Sequence, residues 1–336
     1  MSRKPLVVLL GALLALVGCT AAPGPSPSPS PALPTPTIGL TYIPNVQFSP
    51  FYVAETDGHY TEEGVQPILR HHGTSEGLFT AIAAGQEQFV IAGGDELMQA
   101  RAQGVDLVAV ATYFRSYPVV MIVPADSPIR TLADLRGHTI GLPGKYGESW
   151  FGLLVALKSA GLTEADVKIA EIGYTQQPAL TNGRVDAVVG FSNNDAVQFA
   201  LAGVATRSLP IASGEVPLVG ACLITTHAYA SAHPDVVKAV VAGTMAGITA
   251  VVEKPERALE VSAHYVPDLD TAAGKASATA TLAATKPLWT RDDGTVDATL
   301  DEAQWSRMAD FLVSSGITAN RQDPTAAITN SFIPAR

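Results

Sequence analysis

The sequence predicts an α/β fold of open sheets flanked by helices, with a ligand site beyond the carboxyl ends of the strands. Three observations carry this. Short apolar runs of strand length alternate with helix-length segments. Glycine, proline and polar residues cluster where those runs end, as turn chemistry requires. A composition of 47% apolar and 15% charged residues then gives a body of roughly 300 residues enough material for one large or two medium cores.

The first strand ends near Thr41 and is stopped by Pro44; a polar and aromatic loop follows, and Pro50 opens a helix carrying Phe51 to Glu55. In an open α/β sheet this geometry puts Asn45, Gln47, Phe48 and Tyr52 on the rim of a site. A second strand is expected over 65–70. His71 and His72 follow as loop residues; on extended backbone they point to opposite faces, so they do not share a metal. A helix is expected over 76–84 and a strand over 89–92. Gly93-Gly94-Asp95-Glu96 breaks that strand before a helix bearing Leu97, Met98 and Ala102. Gly94 and Asp95 are site candidates there, because glycines allow close backbone approach and a helix start offers free amide donors. The next strand spans 105–112. Tyr113 and Tyr117 after it either pack the loop or stack on a flat ligand.

A strand over 119–123 ends at Pro124. The stretch Leu142-Pro143-Gly144-Lys145-Tyr146-Gly147-Glu148-Ser149-Trp150 leads into a helix over 151–160 with Gly161 at its end. It lacks the Gly-Lys-Ser/Thr ending of a nucleotide loop. Ser149 lies in Gly-Glu-Ser-Trp-Phe-Gly, one residue too long for an esterase elbow. Tyr146, Ser149 and Trp150 are binding candidates instead. Tyr174 lies on a rim loop after a strand over 170–172, before a helix around 179–182. A buried strand then runs to Phe191, and Ser192-Asn193-Asn194-Asp195 either caps a helix or lets Asn193 and Asn194 read a heterocycle. A return strand is expected over 219–226, then helices over 234–252, 255–264 and 298–314, with Trp289 and Trp305 as packing residues.

At the amino terminus, Arg3 and Lys4 precede an apolar run over 5–18, too short to span a bilayer and suited to a secretory signal. Leu16-Val17-Gly18-Cys19 resembles the bacterial lipobox, which implies cleavage before Cys19 and a lipid upon it. Residues 19–37 are dominated by Pro, Ser, Ala and Thr and read as an extended tether. With Cys19 lipidated, Cys222 alone remains, a small buried hydrophobe without a disulfide partner in its chain. The net charge of −10, with no basic run beyond two residues, argues against nucleic acid. No later apolar run reaches the length of a membrane span.

Ile43-Pro44-Asn45-Val46-Gln47-Phe48-Ser49-Pro50-Phe51-Tyr52-Val53-Ala54, then Gly58-His59-Tyr60-Thr61-Glu62-Glu63-Gly64-Val65, resembles the first motif of the NMT1/THI5-like substrate-binding proteins. Ala84-Gly85-Gln86 and the segment 127–141 resemble later motifs. His59-Tyr60 replaces the usual Tyr-Phe, and His138 stands where Lys is usual. The resemblance implies a type II periplasmic-binding-protein fold. One lobe comprises 38–120 and 224–336 and the other 121–223, each a mixed sheet flanked by helices, with two crossovers at 120–124 and 218–223 as hinge. It implies a non-enzymatic, extracytoplasmic, monomeric lipoprotein of an ABC importer, held to the membrane by Cys19. Its partners are then a small-molecule ligand, a permease and its ATPase, with no cofactor and no metal. Five rim aromatics (Phe48, Tyr52, Tyr113, Tyr146, Trp150) and few cations, Arg115 and Lys145, favour a flat heteroaromatic ligand, riboflavin first and a thiamine pyrimidine second. Sulfonate, taurine or nitrate binding and a lipid-anchored sensor are the alternatives. The family's thiamine-pyrimidine synthases rely on a cysteine-rich segment that this chain lacks.

Overall fold

Ten strands account for the frame among the described residues: β1 (Thr37–Leu40), β2 (Ile68–His71), β3 (Phe89–Gly93), β4 (Leu107–Thr112), β5 (Val119–Pro124), β6 (Thr139–Leu142), β7 (Lys168–Glu171), β8 (Ala187–Phe191), β9 (Thr206–Pro210) and β10 (Ala221–Thr226). They form two five-stranded sheets, ordered β2-β1-β3-β10-β4 and β7-β6-β8-β5-β9. This computed structural model describes residues 32–41, 43–72 and 76–335. The expected leader, Cys19 and most of the tether lie outside the described residues, as does the turn at 73–75.

The two sheets repeat one plan. β1 pairs in parallel with β2 and β3, and β6 in parallel with β7 and β8. In each sheet the fourth position is taken by an antiparallel strand that has just crossed from the other: β10 against β3 and β4, β5 against β8 and β9. The central strands β3 (FVIAG) and β10 (ACLITT) are covered on both faces, so they read as continuous apolar runs instead of alternating. The chain passes between sheets at 113–118 and 211–220. The hinge segment expected at 120–124 lies inside β5, where hydrogen bonds on both sides hold it; the first crossing itself is 113–118. The second expected segment, 218–223, overlaps the second crossing and the start of β10.

Several boundaries differ from the sequence reading. The second strand moves to Ile68–His71 and the helix expected over 76–84 shrinks to Thr80–Ala83. The helix expected from 151 begins at Gly147, which puts Ser149 and Trp150 in its first turn and Tyr146 at its N-cap. The helix expected over 298–314 starts at Glu302, where the Asp301 carboxylate accepts from the Ala303 N–H. Helix Ala272–Trp289 was not read from the sequence: alanine and threonine dominate it and Pro287 sits inside, so its apolar stripe is faint. Trp289 and Trp305 are each 1% exposed and pack as expected.

Helix Pro234–Glu253 alone, among the described residues, is long and apolar enough to cross a membrane, a point the sequence reading missed. Its face of Val237, Val240, Val241, Ile248 and Val251 is buried in the core of the first sheet. Gly247 lets it press on helix Ser49–Thr56: a Cβ there would lie 2.2 Å from the Pro50 carbonyl oxygen. A second apolar core joins Ala92, Leu97 and Trp305 to Val119, Met121 and Phe151, so the facing elements of the two sheets share packing.

Candidate functional site

A cavity of about 670 Å³ opens where the strand ends of the two sheets face one another. From the first sheet it is lined by Phe48 and Tyr113, by Phe79, and by Gly93 and Glu96 at the junction of β3 with helix Gly94–Ala102. From the second come Tyr146, Glu148 and Ser149 at the start of helix Gly147–Ser159, with Tyr174, Gln176, Phe191, Asn194 and Asp195. Each contributing loop lies at a strand end because the strand's last ladder bond is there and the backbone is free to turn.

Six of the thirteen residues predicted for binding line this cavity, Phe48, Tyr113, Tyr146, Ser149, Tyr174 and Asn194, and the rim neighbour Gln47 joins them; the other seven do not line it. Tyr146 and Tyr174 are 56% and 51% exposed, the large rings most open to a ligand. Asn45 instead caps the turn before helix Ser49–Thr56, its Oδ1 accepting from the Gln47 N–H at 3.0 Å. Tyr52 is fully buried, its hydroxyl 2.8 Å from His71 Nε2 and its ring stacked on Tyr265 at 4.1 Å. Phe48 belongs to the 3-10 turn Val46–Phe48 and Tyr52 to the helix after it, so the two rings do not share a face. Gly94 has no room to receive a ligand: its N–H donates to the carbonyls of Val219 and Gly220, and Val219 carbons lie 2.8 Å from where its Cβ would be. Trp150, partly buried, packs on the shared core with the Lys145 ammonium 5.0 Å from its ring centre. Asn193 is buried and its amide donates to Thr285 Oγ1 at 3.1 Å, joining the loop after β8 to helix Ala272–Trp289.

Asp95 and Tyr117 stand behind the cavity wall. The Tyr117 hydroxyl donates to Asp95 Oδ2 at 2.7 Å and lies 2.9 Å from the Glu148 carbonyl oxygen, bridging helix starts that belong to different sheets. Asp95 Oδ1 accepts from the Glu96 N–H at 2.8 Å, and Glu96 Oε2 from the Gly93 N–H at 2.9 Å. Burial pushes the carboxyls of Asp95 and Glu148 far above the ordinary range, with the neighbouring acids adding to the effect. Burial also pushes Glu96 up to about 7, although the Gly93 N–H opposes it. Asp195 accepts from the Phe191 N–H at 2.7 Å and is raised too, by burial. The second sheet thus repeats, after β8, the acid-to-strand-end bond that the first makes after β3.

Sequence reasoning missed Glu96, Glu148 and Asp195. For Glu96 and Asp195 the signal was an acid three or four residues after a strand-ending Gly93 or Phe191, and for Glu148 an acid in the first turn of a helix, but such acids also mark an ordinary helix N-terminus. No Lys, Arg or His side chain lines the cavity among the described residues. Arg115 is held by Asp297 Oδ2 at 2.9 Å and Lys145 by Glu164 Oε2 at 2.7 Å, both away from it. The buried His72 meets Glu87 at 2.9 Å and His71 meets Tyr52, on opposite faces of the chain as expected.

Two sheets of one plan, crossed twice and facing each other over a cavity, define the periplasmic-binding-protein architecture of type II. The periplasmic aliphatic sulphonate binding protein SsuA of Escherichia coli superposes with a TM-score of 0.69, over 90% of this chain and 100% of that one, at 18% identity. The chain belongs to the NMT1/THI5 like family, whose profile matches residues 45–258. Among its relatives, the riboflavin-binding protein RibY of Chloroflexus aurantiacus is 30% identical over 304 residues, 89% of this chain and 86% of the relative. The 4-amino-5-hydroxymethyl-2-methylpyrimidine phosphate synthase of Legionella pneumophila is 23% identical over 303 residues, 89% of this chain and 92% of the relative.

Proposed function

We propose that this chain is the extracytoplasmic solute-binding protein of an ABC importer, which captures a flat heteroaromatic vitamin or vitamin precursor between two lobes and delivers it to a permease. Riboflavin is the first ligand, a thiamine-type pyrimidine the second. The observation that carries the reading is the cavity wall: aromatic rings, amides and carboxyl groups with no cationic side chain among the described residues. A sulfonate or nitrate would enter such a site without a counter-charge and lose its hydration uncompensated. A planar ring system finds Tyr146, Tyr174 and Phe48 to cover its faces, and polar side chains for its edges.

In this reading the lobes are 38–120 with 224–336, and 121–223, moving about the two crossings. Cys19 carries the lipid, the tether spans from membrane to body, and the protein works as a monomer. A binding role is preferred to catalysis: Cys222 is buried in β10, and no cysteine or histidine lines the cavity among the described residues. The test is to denature the purified protein and look for a released chromophore, while screening vitamins for a rise in melting temperature. A ligand at a hundred times its Kd adds about 2.7 kcal/mol. A flavin extract or a riboflavin shift supports the first ligand and a pyrimidine shift the second. A response to sulfonates alone would overturn the reading, and silence from every solute would favour a lipid-anchored sensor.

A further inference from the structure

Three carboxyl side chains from both halves of the molecule meet at the cavity wall without a cation among them. Asp95 and Glu96 come from the start of helix Gly94–Ala102, and Glu148 from the start of helix Gly147–Ser159. They are close enough that Gly93 cannot carry a side chain: its Cβ would fall 2.3 Å from Asp95 Oδ1 and 3.1 Å from Glu148 Oε1. Gly147, with φ of +63°, faces Glu96 in the same way, a Cβ there falling 2.9 Å from Glu96 Oε1. In a site this enclosed, three carboxylates without a counter-ion do not all ionise.

The hydrogen bonds support the three unequally. Asp95 receives the Tyr117 O–H and the Glu96 N–H, and Glu96 receives the Gly93 N–H. Glu148 Oε1 is closed off from solvent and has no hydrogen-bond partner among the described residues. The ionised form of Glu148 is therefore the least supported of the three. The groups that face it, Asp95 and Glu96 across the wall, Tyr117 behind, and Cys222 on β10, supply no positive charge.

Resting on the reading of the cavity as a heteroaromatic site, we propose that Glu148 is its specificity-determining polar contact and meets the ligand as a neutral carboxylic acid. A protonated carboxyl presents an O–H donor and a C=O acceptor side by side. That pair is complementary to a ring edge carrying N–H beside C=O, as in a lactam or imide, or a ring nitrogen beside an amino group, as in an aminopyrimidine. A carboxylate would offer acceptors alone and would match neither. Glu148 lines the cavity from the second sheet and leans on Gly93 of the first. Ligand contact and approach of the two halves therefore fall on one side chain.

The test compares the wild-type chain with Glu148→Gln and Glu148→Leu, using riboflavin fluorescence quenching and, separately, calorimetry with 4-amino-5-hydroxymethyl-2-methylpyrimidine. The glutamine amide keeps a donor beside an acceptor and cannot ionise. For whichever probe binds, Glu148→Gln is expected to hold affinity within about threefold, and Glu148→Leu to lose tenfold or more. As the pH is raised, wild-type affinity should fall once Glu148 gives up its proton, while the glutamine variant stays level. Infrared difference spectra of the ligand-free chains should show a protonated-carboxyl band near neutral pH that Glu148→Gln removes, and melting temperatures of both variants check their folding. A tenfold loss in the glutamine variant, a leucine variant that binds normally, or the absence of that band would overturn the assignment and leave the cavity reading intact. Failure of both probes to bind the wild type would overturn the cavity reading and the ligand contact with it, and the infrared band would still report the protonation state.

Discussion

Replacing Tyr146 by alanine should weaken ligand binding about 30-fold. The ring stands at the cavity mouth with 56% of its surface exposed, at the N-cap of helix Gly147–Ser159. A tyrosine side chain of about 200 Å² with half its surface open leaves roughly 100 Å² for a ligand, and a stacked ring covers one face, about half of that. At about 25 cal/mol per Å² this burial contributes roughly 1.2 kcal/mol, and the aromatic pair adds about 0.5–1.5 kcal/mol. The total, about 2 kcal/mol, corresponds to roughly 30-fold in Kd. Because the ring is not part of either core, the melting temperature of the ligand-free variant should stay within a degree or two of wild type. Riboflavin titration by fluorescence quenching measures the loss, with Tyr146→Phe as the control that keeps the face and removes the hydroxyl. If Tyr146→Ala binds within twofold of wild type while the phenylalanine control is also unchanged, the ring does not cover the ligand and the stacking argument is wrong.

Three further outcomes follow from residues away from the cavity wall. Asp297, 4% exposed, accepts from Arg115 at 2.9 Å, from Arg291 Nε at 2.7 Å and from Thr299, so Asp297→Ala should cost about 3 kcal/mol in urea unfolding at pH 7. Burial alone would raise its carboxyl, but the Thr299 and Arg291 hydrogen bonds outweigh that and hold it below the ordinary range. Its contribution is thus present above the unfolded value near 4 and fades below it, so wild type and variant should converge in acid; a constant gap from pH 7 to pH 2 would refute this. Gly247→Ala drives a methyl onto the Pro50 carbonyl and should lower the melting temperature by several degrees, with a calorimetric trace indistinguishable from wild type as the refuting result. The Cys222 thiol is fully buried and pushed up by burial and by Asp95, so in a Cys19→Ser chain a thiol reagent should react only as fast as the protein unfolds.

The parts of the fold legible in the sequence were those with a local cause. Pro50, Gly93-Gly94 and the apolar runs of β3, β4, β5 and β10 marked element ends and buried strands directly, and the motifs after Ile43 pointed to the two-lobe plan. Strand β9 (TRSLP) and helix Ala272–Trp289 carry weak patterns of their own and are held by their neighbours, so local reading passed over them. At the site, residue type predicted aromatics better than direction. Tyr52 and Phe48 are four residues apart, yet one packs on Tyr265 and the other faces the cavity, because a 3-10 turn over Val46–Phe48 intervenes before the helix. The acids were overlooked for the opposite reason. Glu96, Glu148 and Asp195 look like ordinary first-turn residues until the two sheets bring their helix starts to one wall.

The crossed strands also set an order of assembly. The second sheet is complete in one continuous stretch from β5 to β9, whereas the first has its fourth position, between β3 and β4, empty until β10 has been made, more than a hundred residues after either. A chain emerging from its amino end therefore has the later sheet ready to close before the earlier one can, and carries two unpaired inner strand edges meanwhile. Zipping β10 between β3 and β4 is the long-range step, and contacts of such sequence separation form slowly. Truncation anywhere before Ala221 should leave those edges open and the product prone to self-association, and loss of the segment after the last helix would uncover the outer edge of β4, where Ala109 pairs with Ala327 and Thr329.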